Sequence, residues 1–260
     1  GEEQTHANAF DRLDERFLAH PALAVEQSRL TVEDMGKTAQ SNLLTSVALL
    51  RDYSDEAFAH VESEEGLVDQ YEDRLGTYLM RITERELTRE ENESVSKYLH
   101  TLSDFERIGD HAMNIAEAAR EISQKKLRFT GAAEHELDVL SAAVQEILDV
   151  ASRAFFANDV ELAYRVEPLE ERIDVLCDEL KLHHVERLQS GDCSLENGFV
   201  FNDLLANFER VADHSSNLAI ATIELRSDRY DTHEYVINLK ELHSHRFDEY
   251  YEEYARKYSV

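Results

Sequence analysis

Four pairs of carboxylates recur in the chain at one spacing, a glutamate followed four residues later by an aspartate. They are Glu65/Asp69, Glu106/Asp110, Glu170/Asp174 and Glu209/Asp213. On a helix, side chains four residues apart lie on the same face, where two carboxylates repel each other. A cation bound between them would reverse the sign of that interaction. Hard oxygen ligands of this kind suit magnesium, manganese, iron or calcium.

The pairs occupy matching places in an internal repeat. The segment DFERIGDHAMNIA (104–116) returns as NFERVADHSSNLA (207–219), and HVESEEGLVDQY (60–71) aligns with RVEPLEERIDVL (165–176). A single acid pair is expected by chance in a chain with 55 acidic residues, and a solvated helix face is then the usual interpretation. Four pairs at equivalent positions of two diverged repeats instead predict two metal-binding faces.

Other polar residues of the repeated segment are given different roles. We expect the two arginines to hold a carboxylate across a bundle. The histidine after each aspartate lies about 100° further round the helix, so a half-buried side chain is favoured over a ligand. The asparagines leave two alternatives open, ligands of a metal or its water, or exposed amides. These residues are Arg107 and Arg210, His111 and His214, and Asn114 and Asn217.

The elements that position these residues are helices. Apolar residues recur every three or four positions, and no convincing strand pattern of period two appears. Proline occurs only twice and glycine eight times, so long intervals lack helix breakers. Thr88 with Glu91 and Asn158 with Glu161 resemble capping boxes, and Ser54, Ser194 and Asp231 also suit helix starts. The predicted helices lie near 22–53, 55–84, 89–125, 132–157, 159–190, 195–228 and 232–258.

The repeat groups these helices into two units of three, over residues 22–125 and 132–228. Each helix has one apolar stripe to bury, so the predicted fold is all-α, with two pseudo-symmetric antiparallel three-helix bundles. Residues 1–21 are predicted to be a linker or a short helix around 10–18. The last helix, 232–258, lies outside the repeat and is expected to pack across the bundles or against a partner.

Composition excludes several function classes. The net charge of −28 repels phosphate backbones, so no nucleic-acid partner is predicted. Two cysteines without metal-binding spacing fit a reducing cytoplasm. No apolar stretch approaches the roughly 18 residues of a membrane span. The only Glu-x-x-His, the ligand pair of a di-iron bundle, is Glu3–His6. No phosphate-binding loop or nucleophile motif occurs, so we predict no enzymatic activity.

The two repeated motifs resemble the signature of the PhoU family of phosphate-signalling regulators, over about residues 22–228. The resemblance implies paired three-helix bundles and multinuclear iron or zinc clusters held by E/D-x-x-x-D motifs, here the eight acids of the four pairs. Manganese and magnesium stay possible ions. Asn207 stands where the first repeat has Asp104, and Pro168 is expected to bend or restart its helix. Both departures predict that the two sites differ.

The two ends look unlike a stand-alone PhoU and resemble the C-terminal region of bacterial Na/Pi cotransporter family proteins. That resemblance implies a regulatory domain joined in cis to a membrane transporter domain, on the cytoplasmic side of the inner membrane. With Gly1 in place of Met, we expect a longer native polypeptide. The alternative is a stand-alone adaptor of a phosphate ABC transporter and a sensor kinase. A metal-dependent phosphatase is a third hypothesis, and a homodimer is left open.

Overall fold

The computed structural model describes the backbone of residues 10–227 and 233–260 and the side chains of 10–224 and 245–260. A short 3-10 helix, Glu15–Ala19, precedes the first long helix. Seven long helices follow within the described residues: α1 (Pro21–Leu49), α2 (Asp55–Thr83), α3 (Arg89–Lys125), α4 (Gly131–Ala157), α5 (Val166–Ser190), α6 (Leu195–Ser227) and α7 (His233–Lys257). No strand occurs among these residues, which confirms the predicted all-α class.

Capping side chains fix where the helices begin. Thr88 and Glu91 form the predicted capping box of α3, and the hydroxyls of Ser54 and Ser194 accept backbone N–H groups of α2 and α6. The predicted start at Asn158 is wrong. Asn158 ends α4 in the left-handed conformation (φ 51°), which asparagine tolerates well. Asp231 lies outside the described residues.

The predicted helix over 159–190 is interrupted. Asp159 caps a four-residue helix, Val160–Ala163, and α5 begins anew at Val166. Pro168 is the third residue of α5, within the first turn, where its missing N–H costs no helical hydrogen bond. The expectation that the helix restarts near Pro168 is therefore confirmed. The helix predicted around 10–18 is the shorter 3-10 helix.

The helices pack as two three-helix groups that are joined mainly through α3 and α6. α1, α2 and α3 contact one another, as do α4, α5 and α6, while α3 packs on α6 and α1 on α4. Phe105 of α3 illustrates the junction: it lies 5.6 Å from the ring of Phe155 and stacks on Phe156 at 5.8 Å, both from α4. One continuous apolar core therefore runs through both groups.

The helix outside the repeat, α7, packs on α5 of the second group. Tyr254 near its end and Tyr258 just after it are buried, and the guanidinium of Arg172 donates to the carbonyl of Tyr258 at 2.7 and 3.0 Å. The described part of α7 thus follows one group rather than crossing both. Within the described residues, no helix has the combination of length and apolar character that spanning a bilayer requires.

Candidate metal-binding faces

The first acidic face joins α2 and α3. Glu65 and Asp69 lie on successive turns of α2, and Asp110 reaches them from α3. One oxygen of each carboxylate lies within 4.8 Å of the other two. Glu65 and Asp110 are half-buried and Asp69 is exposed, so the face is open to solvent on one side. These three carboxylates are called the first triad.

The second acidic face repeats the first between α5 and α6. Its members are Glu170 and Asp174 of α5 and Asp213 of α6, again with one oxygen each within 4.8 Å of the others. The pattern of burial is the same, with Asp174 exposed and the other two half-buried. These carboxylates are the second triad. Six of the eight predicted ligands therefore converge in two groups of three.

The charges of the triads are poorly compensated. Burial, followed by the neighbouring charges of Asp69 and Asp110, raises the pKa of Glu65. Burial and then Asp174 raise the pKa of Glu170 to about 7. A carboxyl group whose pKa is raised in this way is more costly to ionise than in water. A bound cation would remove that cost.

The remaining two predicted ligands are not members of the triads. Glu106 lies beside Asp110, and burial and then that neighbour raise its pKa to about 7. Glu209 instead accepts from the ammonium of Lys181 at 3.0 Å. By the offset of 105 between the repeats, Lys181 corresponds to Gly76. The cation beside Glu106 is instead Arg107 of its own helix, at 3.5 Å. The two faces differ, but through Gly76 and Lys181 rather than through the departures noted in the sequence.

The two arginines of the repeated motif do not reach across a bundle, and this prediction is wrong. Arg107 pairs with Asp110 and Arg210 with Asp213, each at 3.1 Å and three residues away on the same helix. Both arginine side chains are more than half exposed. One arginine beside three carboxylates leaves each triad with an excess of negative charge, and a surface pair of this kind contributes only about 0.3–0.5 kcal/mol.

The histidines and asparagines of the motif form a network between α3 and α6 that was not predicted from the sequence. His111 Nδ1 lies 2.9 Å from Asn207 Oδ1, which also accepts from Asn114 at 3.0 Å. The second half is reciprocal: Asp104 Oδ1 lies 2.9 Å from His214 Nδ1 and accepts from Asn217 at 2.8 Å. The two histidines are half-buried, as expected. Asn114 and Asn217 are exposed amides, one of the two predicted alternatives, and each donates its Nδ2 across the repeat interface.

Both repeats carried the signal for this network. The residue that accepts in one unit precedes its own histidine by seven positions in both repeats. That spacing marks one helix face, but which helix it meets depends on the packing. A second histidine pair outside the motif is also held by the fold: His184 is 1% exposed, and His183 Nδ1 lies 2.8 Å from Glu136 Oε1.

The donor chemistry of the triads fits a hard cation. All ligand atoms are carboxylate oxygens, the ligands that magnesium, calcium and manganese favour. No histidine or cysteine joins either triad among the described residues. Glu65, Asp69 and Asp110 would hold an ion on the first face, and Glu170, Asp174 and Asp213 on the second. The metal would supply charge neutralisation and a bridge between two helices.

Paired helical groups, each with a carboxylate triad at the same place, define a repeat protein with two equivalent acidic faces. The PhoU domain family model matches residues 32–119 and 137–222. The chain belongs to the PhoU family.

Several relatives are similar over part of the chain. A phosphate-specific transport system accessory protein PhoU homolog of Thermotoga maritima is 32% identical over 127 residues, which cover 49% of this chain and 54% of that protein. The Streptococcus pneumoniae homolog is 25% identical, over 51% of this chain and 60% of its own length. The chain thus matches just over half the length of these two relatives. A Clostridium acetobutylicum homolog is 20% identical over 74% of this chain and 87% of its own.

Solved structures have the same fold. The crystal structure of PhoU from Pseudomonas aeruginosa superposes with a TM-score of 0.73 at 22% identity, over 82% of this chain and 99% of that one. The PhoU structure from Streptococcus pneumoniae gives 0.69 at 19% identity, over 78% and 94%. Almost all of each neighbour is matched while part of this chain is not.

Proposed function

We propose that the protein is a regulatory subunit of phosphate transport that works by metal-dependent docking and not by catalysis. The observation that carries the proposal is the recurrence of one carboxylate triad at equivalent positions of two repeats. In both repeats, a glutamate and an aspartate four residues apart on one helix meet an aspartate from the neighbouring helix. Acidic pairs that arose by chance would not recur in the same arrangement. The relatives described as accessory proteins of phosphate-specific transport systems supply the process.

The triads are proposed to act as metal-dependent contact surfaces. Without an ion, each face carries an excess of negative charge that repels an acidic or phosphate-bearing partner. With iron, zinc, manganese or magnesium bound, the face carries much less negative charge and offers open coordination positions to a partner carboxylate or to phosphate. Occupancy of the triads would thereby set whether the transporter is engaged.

The partner is proposed to be a separate transport or signalling protein. The relatives are described as accessory proteins of a transport system, which favours this alternative over a domain joined in cis to a sodium–phosphate transporter. In a cis arrangement, the segments before residue 32 and after residue 222, which lie outside the family matches, would connect this domain to the membrane domain. Reading the gene upstream of Gly1 distinguishes the two, since the cis hypothesis requires membrane-spanning segments in the same frame.

A deletion and complementation experiment tests the function. Deletion of the gene should change the rate of labelled phosphate uptake, and the parent gene should restore it. Asp110→Asn/Asp213→Asn, which removes one charge from each triad, should fail to restore it. Asp52→Asn/Asp248→Asn makes the same change of charge at two exposed positions away from the triads and should restore it. Unchanged uptake in the deletion strain would refute the proposal.

A further inference from the structure

A cavity of about 370 Å³ opens at the end of the first helical group. It lies between the C-terminal ends of α1 and α3, the segment 126–130 and the first turns of α4. Small-molecule sites occupy about 300–1,000 Å³, so the volume suits a compact ligand. Neither triad contributes to its wall. It is called the α1–α4 cavity.

The wall of the α1–α4 cavity is basic in a chain of net charge −28. Arg51, Lys126 and Arg128 line it. The segment 122–133 contains three bases and no acid. Lys126 and Arg128 are exposed and form no ion pair among the described residues. Two charges on the wall are therefore available to an anion.

The acids on the wall are already engaged. Arg51 pairs with Asp138 and lies 3.7 Å from Glu134, both from α4. The five charged side chains of the wall therefore sum to one positive charge. Exposed charges further away than about 10 Å are largely screened at 0.1 M salt. The local charge therefore decides whether an anion can enter, despite the acidic composition of the chain.

The rest of the wall is apolar and partly aromatic. Leu50, Ile122, Leu127 and Phe129 line it beside Tyr53. The ring of Phe129 packs edge-to-face on the ring of Phe201, with the two centroids 5.8 Å apart. A ligand that fills the cavity therefore needs a flat apolar body as well as an anionic group.

The basic segment is held in place before any ligand arrives. Lys126 ends α3 in the left-handed conformation (φ 54°), with its N–H bonded to α3 carbonyls. The side chain of Asn197 donates to the carbonyl of Arg128 at 2.5 Å. Lys125 bridges Glu121 of α3 and Glu196 of α6 at 2.7 and 2.9 Å. Such fixing lowers the entropic cost of binding.

We propose that the α1–α4 cavity binds a small organic phosphate ester. Its phosphate group contacts Lys126 and Arg128, and its flat apolar body packs on Leu127 and Phe129. The site is separate from the acidic faces and goes beyond their proposed role. It would let the protein sense a phosphorylated metabolite independently of metal.

Calorimetry on the full chain, stripped of metal by a chelator and dialysed, tests the proposal. The probes are AMP, adenosine and inorganic phosphate in low salt. AMP should bind, while adenosine and inorganic phosphate should each bind at least about tenfold more weakly, because each lacks one half of the contacts. Lys126→Gln/Arg128→Gln should weaken AMP binding by at least about tenfold. Arg85→Gln/Arg256→Gln changes the charge equally at exposed positions and should leave AMP binding unchanged.

Three results would overturn the proposal: no binding of AMP to the parent, inorganic phosphate or adenosine binding as tightly as AMP, or equal AMP affinity in the parent and the Lys126/Arg128 variant. Thermal melting of both double variants checks that the fold is intact, and we expect each to melt at the temperature of the parent. Because metal is absent throughout, loss of AMP binding is independent of whether the triads bind ions.

Discussion

The imidazole rings of His111 and His214 stack on each other between α3 and α6, with centroids 5.8 Å apart and planes inclined at 25°. Each histidine follows a triad aspartate directly in sequence. Each also contacts the acceptor contributed by the other repeat, Asn207 or Asp104. The network thereby holds α3 against α6, the two helices that each contribute one aspartate to a triad.

Loss of one acceptor of this network should destabilise the protein. Asn207→Ala removes the oxygen that accepts from both His111 and Asn114 and leaves partly buried donors unsatisfied. We expect the free energy of unfolding to fall by about 1–3 kcal/mol, measured by urea denaturation. Asn202→Ala, an exposed position on the same helix, should change it by less than about 0.5 kcal/mol. Equal effects at the two positions would show that the network does not stabilise the interface.

The sequence predicted where the helices lie better than which side chains meet between helices. Periodicity and caps are local, so Thr88 and Ser54 could be assigned without knowing the fold. Asn158 could not, because asparagine suits both a helix start and a left-handed helix end. Likewise, the sequence could not tell which of the eight predicted ligands converge in space, and six of them do. The ion pair of Glu209 with Lys181 depends on how α5 and α6 pack, which the spacing along one helix does not determine.

Two helical glycines should respond to alanine with opposite signs. A Cβ at Gly36 would lie 2.7 Å from Phe156 and 3.0 Å from Phe105, whereas at Gly66 it would meet nothing within 4 Å. Gly36→Ala overpacks the junction between the groups and should cost about 1–3 kcal/mol. Gly66→Ala should stabilise by about 0.5–1 kcal/mol through its helix propensity. Chemical denaturation of both variants measures this, and a stabilising Gly36→Ala would contradict the close packing seen here.

The acidic faces should make the metal-free protein less stable as pH rises. The pKa values of Glu106 and Glu170 are raised from 4.5 to about 7 by burial first and by acidic neighbours second. Between these values the folded state binds more protons than the unfolded state, so the free energy of unfolding falls as pH rises through that range. We expect Glu106→Gln/Glu170→Gln to gain melting temperature relative to the parent at pH 7.5.

At pH 4.5 the same comparison should show little difference, because both carboxyl groups are then protonated in the folded parent. Burial lowers the pKa of His111, which acts in the opposite direction but equally in both proteins. Taking the difference between variant and parent therefore isolates the carboxyl groups. A difference that does not change with pH would place the pKa values of these acids in their ordinary range.

Metal ions should stabilise the protein through the triads. An ion that binds the folded state alone raises the free energy of unfolding by about 2.7 kcal/mol at one hundred times its dissociation constant. We expect iron, zinc, manganese or magnesium to raise the melting temperature of chelator-treated protein, most strongly in low salt, where screening is weakest. Asp110→Asn/Asp213→Asn replaces one carboxylate of each triad by a neutral amide, a weaker ligand, and should abolish most of that shift.

The matched variant Asp52→Asn/Asp248→Asn separates coordination from general charge. Both positions are exposed and lie outside the triads, so its metal-dependent shift should equal that of the parent. Without metal, repulsion predicts a further sign: the Asp110/Asp213 variant should melt at a higher temperature than the parent, because one unfavourable charge leaves each face. A parent with no metal-dependent shift, or a triad variant with the full shift, would reduce both faces to solvated helix surface. The metal-binding assignment is supported if the triad variant melts above the parent without metal and below it with metal, while the matched variant shows neither difference.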